Sequence, residues 1–174
     1  MTETEPLSLS LVPMVYGDIP DILEIEQVSF SKPWTEKDFV YSLDQSHGHA
    51  RVCRVDGQLL GYIVGFRLRD EFHLADFAVR PGSQRRGYGS SLLDLLCAEL
   101  VEMSMRAVTL EVRQSNQAAV RLYGRAGFST VAIRKAYYTQ PVEDALVMIK
   151  PLSGQLSDWV ARAAGRMDGI GQSV

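Results

Sequence analysis

The chain has 174 residues, of which 46% are hydrophobic and 22% are charged, and its formal net charge at pH 7 is −3. This length suits a single domain that buries a large apolar core. Because no overall basic field draws the chain onto nucleic acid or a membrane, we expect neither as a direct partner.

The sequence also lacks the signals of exported, membrane-spanning and metal-binding proteins. Met1–Glu5 has neither the basic nor the apolar region of a signal peptide, and no apolar run reaches the roughly 18 residues of a membrane-spanning helix. We therefore expect a cytoplasmic protein. Cys53 and Cys97 lie far apart in apolar segments, and the histidines lack metal-binding spacing, so we expect buried thiols and no metal.

The first elements in chain order are a strand and two helices. Leucine and serine alternate over Leu7–Val12, which is the period of a β-strand. Apolar residues at helical spacing predict a helix over Asp18–Phe30, with its first residue as the cap and Pro33 as the break after it. A shorter helix is predicted over Thr35–Leu43, since Asp38 stands at the position of a capping box.

Three strands and a long helix follow. Ala50–Val55 and Leu59–Leu68 are rich in strand-forming residues and are joined by Asp56–Gly57, a strong signal for a two-residue hairpin. Phe72–Val79 extends this pair into an antiparallel meander. Apolar residues three and four positions apart then predict a helix from about Gly87 to Met103.

The next strand is predicted to run parallel to a member of the meander. Ala107–Val112 is reached across the long helix, so we expect it to be the parallel neighbour of Phe72–Val79. Ser115 or Asn116 caps a following helix that runs through Arg125. That helix is expected to end with a glycine in the left-handed conformation, at position 127.

A closing pair of strands, Ser129–Lys135 and Ala145–Ile149, completes a domain predicted to span residues 1–151. Residues 152–174 are predicted to be a C-terminal extension that is partly disordered. A short helix fits around Leu156–Ala163, and the last eight residues are expected to be disordered.

A basic loop with two glycines precedes the long helix. Gly87 and Gly89 let the backbone turn and approach a ligand, and the first turn of a helix has amide groups without carbonyl partners. Arg85 and Arg86 add positive charge, so the loop is predicted to bind a phosphate or pyrophosphate group. The absence of a lysine after the second glycine excludes the Walker loop, and Leu92 stands where a dinucleotide fingerprint needs its third glycine.

Further segments accompany this loop: Phe30–Glu36, Leu110–Asn116, Leu122–Phe128, and Arg134–Tyr138 followed by Glu143–Ala145. Together with the loop they resemble the GNAT family of N-acetyltransferases, and within it the enzymes that acetylate the N-terminal alanine of ribosomal proteins. The resemblance spans nearly the whole chain. It implies a mixed α/β fold, in which a mostly antiparallel sheet has a central, splayed pair of parallel strands flanked by helices.

The resemblance implies acetyl-CoA as the co-substrate. In GNAT proteins the strand segment corresponding to Phe77–Val79 splays from its parallel neighbour and offers backbone groups to the pantetheine arm, while the basic loop binds the pyrophosphate. The residues implied in cofactor binding are Phe77, Ala78, Val79, Arg85, Arg86, Gly87, Tyr88, Gly89, Ser90 and Asn116.

Two residues are candidates for catalysis. A peptide α-amino group has a pKa of about 8 and is mostly protonated at neutral pH, so its acetylation needs a base. Taken alone, Glu111 fits a solvent-facing residue or the partner of Arg113, and Tyr123 fits core packing with its hydroxyl at the rim. The resemblance implies that Glu111 is the proton acceptor, acting through a bridging water, and that Tyr123 gives a proton to the CoA thiolate.

Three aromatic residues, Trp34, Tyr137 and Tyr138, are candidates for substrate binding. Aromatic residues in such loops are often only lids over a core. Tyr137 and Tyr138, with the acidic segment after them, resemble the lining of the peptide groove in N-terminal acetyltransferases. Pro141 departs from that pattern, and we expect it to stiffen the loop and so to influence which second residue of a peptide is accepted.

The predicted function is acetyl-CoA-dependent acetylation of a protein N-terminus, with the alanine of a small-subunit ribosomal protein as acceptor, by direct transfer in a ternary complex. One alternative keeps the fold and moves the acceptor to a lysine or a small-molecule amine. Another is a non-catalytic acyl-CoA-binding protein, which is disfavoured because Glu111 and Tyr123 are both present.

Overall fold

The computed structural model describes residues 9–168, which form seven strands and five helices. The strands are β1 (Val12–Pro13), β2 (Gly48–Val55), β3 (Gln58–Leu68), β4 (Glu71–Val79), β5 (Ala107–Arg113), β6 (Ser129–Thr139) and β7 (Val142–Pro151). The helices are α1 (Ile19–Ser29), α2 (Glu36–Asp44), α3 (Tyr88–Glu102), α4 (Gln117–Arg125) and α5 (Leu156–Asp168). Each helix in this part of the chain is too short or too polar to cross a bilayer.

The strands form one sheet in the order β1-β2-β3-β4-β5-β7-β6. The pairs β1–β2, β2–β3, β5–β7 and β6–β7 are antiparallel, whereas β4 and β5 run parallel. The parallel partners are Glu71 with Ala107, Phe72 with Val108, and His73 with Thr109. The predicted mixed sheet, mostly antiparallel with one parallel pair, is confirmed.

The described residues divide into two compact units. The first contains residues 9–66 and 76–96, and the second contains residues 67–75 and 97–168. In the first unit, Ile22 of α1 and Phe39 of α2 are buried in one cluster with Tyr62 of β3. The rings of Phe39 and Tyr62 meet edge to face at 5.7 Å. Burying each such side chain contributes about 1.5–3 kcal/mol, so α1 and α2 are fixed mainly by this core.

The second unit includes the C-terminal helix α5. Trp159 of this helix is only 2% exposed and packs with Ala107 of β5 and Ile149 of β7. The guanidinium groups of Arg106 and Arg162 lie 5.8 Å and 4.6 Å from the centre of its ring. The helix predicted around residues 156–163 is therefore present and anchored by Trp159. Of the last eight residues, where disorder was expected, residues 167 and 168 belong to α5, and residues 169–174 lie outside the described residues.

Turns and caps follow the sequence signals closely. Asp56 and Gly57 have φ of 51° and 78°, as a hairpin turn with two left-handed residues requires. The Asn116 side chain accepts the Ala119 N–H at 3.1 Å and caps α4. Gly127 has a φ of 90° just after that helix ends. These three predictions are confirmed.

The structure corrects the predicted strand and helix boundaries at three places. The first strand is Val12–Pro13, because pairing with β2 begins at Val12, and residues 9–11 are not strand; residues 7 and 8 lie outside the described residues. Asp18 accepts the Val15 N–H at 2.8 Å and so closes the 3-10 turn before α1 instead of capping α1 itself. Strands β6 and β7 extend to Thr139 and Val142, which pair with each other.

Candidate active site

The predicted anion-binding loop lies in the first unit, between β4 and α3. Arg85 and Gly87 have φ of 59° and 86°, so the backbone turns twice in the left-handed region before α3 begins at Tyr88. The arginine side chains of the loop are exposed. Within residues 9–162, no side chain accepts a hydrogen bond from the amides of residues 85–90. These N–H groups at the start of a helix suit a bound anion.

The end of β4 is tied to this loop and packs tightly on β3. The Gln84 side chain donates to the carbonyl of Val79 at 2.9 Å. Ala78 and Val79 are buried, and Phe77 is half-buried. A Cβ atom at Gly61 of β3 would lie 2.7 Å from the Ala78 carbonyl oxygen. Gly61 therefore allows the close approach that sets the position of Phe77–Val79.

Glu111 lies in the second unit, on β5, where its neighbours Leu110 and Val112 are buried and point to the opposite face of the sheet. Its side chain is 12% exposed. One carboxylate oxygen lies 3.2 Å from Arg134 of β6, and the other lies 3.3 Å from Nε2 of His73 of β4. The partners of Glu111 are thus Arg134 and His73, and not Arg113 as one interpretation of the sequence had it. The carboxylate is held in a defined orientation between two basic side chains.

His73 connects Glu111 to a hydroxyl group. Its Nδ1 lies 3.3 Å from Oγ1 of Thr109, while Nε2 faces Glu111. In neutral histidine one ring nitrogen donates and the other accepts, so a Thr109 hydroxyl that donates to Nδ1 leaves the Nε2 proton directed at Glu111. The His73 side chain is 30% exposed, which gives this pair access to solvent. The sequence indicated only that His73 lacks metal-binding spacing.

A second ionic group lies where β5 leads into α4. Glu143 of β7 accepts the Ser115 N–H at 2.6 Å, and its other oxygen lies 3.3 Å from Arg113. The hydrogen bond from the Ser115 amide, with the Arg113 charge, holds the pKa of Glu143 below its usual value. The Arg113 guanidinium stacks 4.1 Å above the ring of Tyr138. Glu143 was noted in the sequence only as part of a motif, and its bond to Ser115 gives it a defined structural role.

Tyr137 and Tyr138 belong to strand β6, whereas the sequence placed them beside a stiff loop. Strand pairing continues past them, since Tyr138 pairs with Glu143 of β7. Their rings are 5.1 Å apart and almost perpendicular. Tyr137 is 46% exposed, and Tyr138 is half-buried. Burial, with the charges of Tyr137 and nearby carboxylates, raises the pKa of Tyr138 to about 12.

Tyr123 and Asn116 lie on and next to α4. Tyr123 is half-buried, and its ring packs edge to face on Phe128 at 5.5 Å. The packing role that the sequence allowed for Tyr123 is therefore present. Asn116 uses its side-chain oxygen to cap α4, which leaves its amide NH2 for other contacts.

The backbone of Trp34 is hydrogen-bonded to a buried acidic residue in the first unit. Its ring packs on Phe39 at 5.3 Å, and its backbone N–H donates to Oε2 of Glu26 at 2.6 Å. Glu26 is fully buried, and its Oε1 accepts the hydroxyl of Tyr62, which also lies 3.5 Å from Asp76. Burial, with the charge and hydrogen bond of Glu26, raises the pKa of Asp76 to about 8.

Sequence reasoning missed this acidic group, although the sequence carries a signal for it. Glu26 falls on the apolar side of α1 beside Ile22 and Ile25. Asp76 falls on the face of β4 that is otherwise buried and apolar, with Leu74 and Ala78. A charged residue on an apolar face must find a polar partner inside the protein, so each position could have been marked as part of a buried network.

No three His, Cys, Asp or Glu side chains are grouped as a metal site would need in the part of the chain that the structure describes.

Comparison with known proteins agrees with this arrangement. The model of the acetyltransferase (GNAT) family matches residues 19–128. The ribosomal protein bS18-alanine N-acetyltransferase of Escherichia coli K12 is 36% identical over 138 residues, which cover 78% of this chain and 93% of that enzyme. A putative enzyme of the same name from Bacillus subtilis is 36% identical over 132 residues, covering 75% and 87%.

Solved structures show the same relationship. The crystal structure of the ribosomal-protein-S18-alanine N-acetyltransferase from Escherichia coli matches with a TM-score of 0.77 at 33% identity, over 85% of this chain and 96% of that one. Ard1 from Thermoplasma volcanium matches with a TM-score of 0.77 at 27% identity, over 85% and 100%. The chain therefore belongs to the GNAT family of acetyltransferases.

Proposed function

We propose that this enzyme transfers the acetyl group of acetyl-CoA to the N-terminal alanine of a ribosomal protein, with bS18 as the acceptor. The observation that carries the proposal is the similarity to the Escherichia coli enzyme, which extends over 93% of that enzyme at 36% identity. A match of this extent includes the strand of Glu111, the helix of Tyr123 and the basic loop. The acceptor named for the relatives is thus the first one to test.

Acetyl-CoA, the co-substrate of GNAT acetyltransferases, supplies the acetyl thioester. The loop before α3 fits its pyrophosphate, since the amides of residues 85–90 are not engaged by side chains within residues 9–162 and Arg85 and Arg86 are exposed there. Tyr88, Gly89 and Ser90 contribute the first helical turn. We assign the pantetheine arm to the backbone of Phe77–Val79, and Asn116 to a further cofactor contact through its amide NH2.

Glu111 is proposed as the base. The acceptor amine must lose a proton before or during attack, because an α-amino group is mostly protonated at neutral pH. The carboxylate of Glu111 is largely buried but keeps 12% exposure, so a water molecule can carry the proton to it. Its contacts with Arg134 and His73 hold it in one orientation, which a general base requires.

Tyr123 is proposed as the acid. As the amine nitrogen bonds to the acetyl carbon, the carbon–sulfur bond breaks, and the proton released by the amine goes to Glu111. The departing sulfur takes a proton from the Tyr123 hydroxyl. Packing on Phe128 fixes the ring that carries this hydroxyl. After the products leave, Glu111 gives the proton it accepted to solvent, and Tyr123 regains one from solvent.

Direct transfer, with no acetyl-enzyme, is favoured by the state of the cysteines. Cys53 and Cys97 are the two cysteines of the chain, and both are buried. Burial raises the pKa of the Cys53 thiol, which keeps it in the unreactive protonated form. Mass spectrometry of the enzyme with acetyl-CoA and no peptide should therefore show no added acetyl group.

The aromatic residues Trp34, Tyr137 and Tyr138 are proposed to contact the acceptor peptide. Tyr137 offers an exposed ring, and the ring of Tyr138 is fixed by Arg113 on one side and by Tyr137 on another. Such rings supply a rigid surface for a short peptide at a low entropic cost.

A peptide panel tests the proposal. The enzyme is incubated with acetyl-CoA and peptides that begin with alanine, serine or methionine, or that have a blocked N-terminus and an internal lysine, and free CoA is followed. One of the alanine peptides carries the N-terminal sequence of bS18 from the same organism. Turnover on the alanine peptides, with the acetyl group located on the α-nitrogen by mass spectrometry, supports the proposal. Turnover only on the lysine peptide or on polyamines contradicts it, as does tight CoA binding without turnover.

A further inference from the structure

Two acidic side chains and a tyrosine meet in the interior of the first unit, where the proposed reaction does not use them. Glu26 comes from α1, Tyr62 from β3 and Asp76 from β4, and they are 0%, 0% and 8% exposed. Buried carboxyl groups are costly unless every oxygen has a hydrogen-bond partner. Each of these groups must therefore find its hydrogen-bond partners inside the protein.

Both oxygens of Glu26 are occupied by donors from different elements. Oε1 accepts the hydroxyl of Tyr62, and Oε2 accepts the backbone N–H of Trp34 at 2.6 Å. Residues 31–35 contain neither helix nor strand. The Trp34 ring packs on Phe39 of α2, and Thr35 is bonded to Asp38 of the same helix. The bond from the Trp34 N–H to Glu26 adds a buried backbone anchor that ties the segment to α1.

The same carboxyl group is connected to the cofactor side. Asp76 lies 3.5 Å from the Tyr62 hydroxyl and hydrogen-bonds to Glu26. Its raised pKa, about 8, keeps a proton on Asp76 near neutral pH, so Asp76 donates rather than repels. Asp76 directly precedes Phe77, the first residue assigned to the pantetheine arm.

We infer that Glu26 is a positioning residue, whose buried carboxylate fixes the Trp34 segment against the end of β4 and thereby presets the acceptor side of the site. The inference rests on the proposed function, because it takes Trp34 as an acceptor contact. Glu26 is fully buried and bonded to Trp34 and Tyr62, so we expect it to touch neither the reacting atoms nor the cofactor. Its removal should therefore weaken peptide binding more than it slows chemistry.

Glu26→Gln tests this inference, because a glutamine side chain has one acceptor atom where the carboxylate has two. The single amide oxygen then serves either Trp34 or Tyr62, and the Trp34 N–H, unlike the Tyr62 hydroxyl with Asp76 at 3.5 Å, is given no second acceptor by the described contacts. We expect KM for the alanine peptide to rise about tenfold, as the loss of one hydrogen bond to a charged group predicts, with kcat and the Kd for CoA within about twofold. The control is Glu24→Gln on the same helix, whose carboxylate is 70% exposed and lies 3.8 Å from Arg80. It should leave all three constants unchanged.

A second substitution should reverse the first. In Glu26→Gln with Tyr62→Phe, the competing hydroxyl is gone and the single glutamine oxygen is free to accept the Trp34 N–H. We expect the peptide KM of this double variant to return to within about twofold of wild type, which a double-mutant cycle reports as strong coupling between the two positions. Residues in contact couple in the free energy of unfolding whatever their role, so the coupling that supports the inference is the one measured in peptide KM. A merely structural role for Glu26 predicts coupling in stability with peptide KM unchanged.

Hydrogen exchange of the Trp34 amide provides a readout that does not depend on activity. In wild type this amide should exchange slowly although its segment has no helix or strand, in Glu26→Gln it should exchange faster, and in the double variant protection should return. If the wild-type amide exchanges as fast as an unstructured peptide, or if Glu26→Gln leaves peptide KM unchanged in an active enzyme, the inference is wrong. Absence of wild-type turnover on alanine peptides would instead contradict the proposed function. In that case the exchange data alone would show whether Glu26 fixes the Trp34 segment.

Discussion

Arg134 of β6 reaches Glu111 of β5 across the intervening strand β7, and their charged atoms lie 3.2 Å apart. Ala145 of β7 pairs with Arg134 on one side and with Arg113 on the other, so these three residues stand at one level of the sheet. The small side chain of Ala145 leaves room for the longer arginine to cross. The orientation of Glu111 is thus set by a strand to which it is not paired.

Glu111→Gln should lower kcat on the alanine peptide by on the order of 100-fold or more at pH 7, because the amine loses its proton acceptor while the shape of the side chain is kept. The deficit should shrink above pH 8, where the α-amino group is increasingly neutral without help. Measuring kcat from pH 6 to pH 9.5 checks both. Glu102→Gln, at an exposed position on α3, is the control. Equal rates for Glu111→Gln and wild type at pH 7 would remove the base assignment.

Tyr123→Phe should slow turnover by on the order of 100-fold, since the departing sulfur loses its proton donor. The ring and its packing on Phe128 remain, so the melting temperature and the Kd for CoA should change little. Stopped-flow release of CoA and a binding titration separate these effects. Tyr41→Phe, which removes the hydroxyl of a 60% exposed tyrosine, should behave as wild type. A loss of CoA affinity equal to the loss of rate would indicate a binding role instead.

The sequence predicted those parts of the site that depend on local signals. The basic loop, the cap at Asn116 and the strand of Glu111 follow from residues close together in the chain, and all lie in the elements expected. The periodicity of apolar residues and the chemistry of helix caps are properties of short segments, so they can be recognised before the fold is known.

The partners of these residues could not be predicted in the same way. Glu111 meets Arg134 only because β7 enters the sheet between β5 and β6, and it meets His73 only through the parallel pairing of β4 with β5. Glu26 and Asp76 are 50 positions apart in the numbering and meet through Tyr62. Such contacts depend on strand order and register, which short-range patterns do not contain.

Gly61→Ala should destabilise the protein and weaken cofactor binding together. The added Cβ would lie 2.7 Å from the Ala78 carbonyl oxygen and 3.0 Å from Leu92, so the backbone of β4 must move. We expect a cost of about 1–3 kcal/mol in the free energy of unfolding, and a higher Kd for CoA if Phe77–Val79 binds the pantetheine arm. Urea unfolding and a CoA titration measure the two. Gly17→Ala, where nothing lies within 4 Å, should be nearly neutral. Unchanged CoA affinity despite lower stability would argue against the strand assignment.

Glu143→Gln should remove a pH-dependent part of the stability. The Ser115 amide and Arg113 hold the pKa of Glu143 below its usual 4.5, so folding favours the ionised form. The stabilisation is therefore complete above pH 4.5 and is lost as the pH falls through the lower pKa of the folded state. Wild type should be more stable than the variant near neutral pH, and the difference should vanish in acid. Urea unfolding from pH 3 to pH 7 measures this, with Glu102→Gln as the control. A difference that stays constant in acid would contradict the ionic role.

Asp76→Asn should have the opposite dependence on pH. Burial and the neighbouring Glu26 raise the pKa of Asp76 to about 8, so the folded protein keeps a proton that an exposed aspartate releases near 3.8. The stabilisation from Asp76 is complete below 3.8 and is lost as the pH rises towards 8. Asparagine keeps the shape and cannot ionise, so the variant should gain stability relative to wild type between pH 5 and pH 8, and the gain should level off above that.

Urea unfolding of both proteins at pH 5, 7 and 9 measures the difference in their free energies of unfolding. Groups that titrate identically in the two proteins cancel in this difference. Asp94→Asn, at an exposed position on α3, is the control. A difference that is flat over this range, or that falls with pH, would show that Asp76 is already ionised in the folded protein and that Tyr62 and Glu26 face a charge.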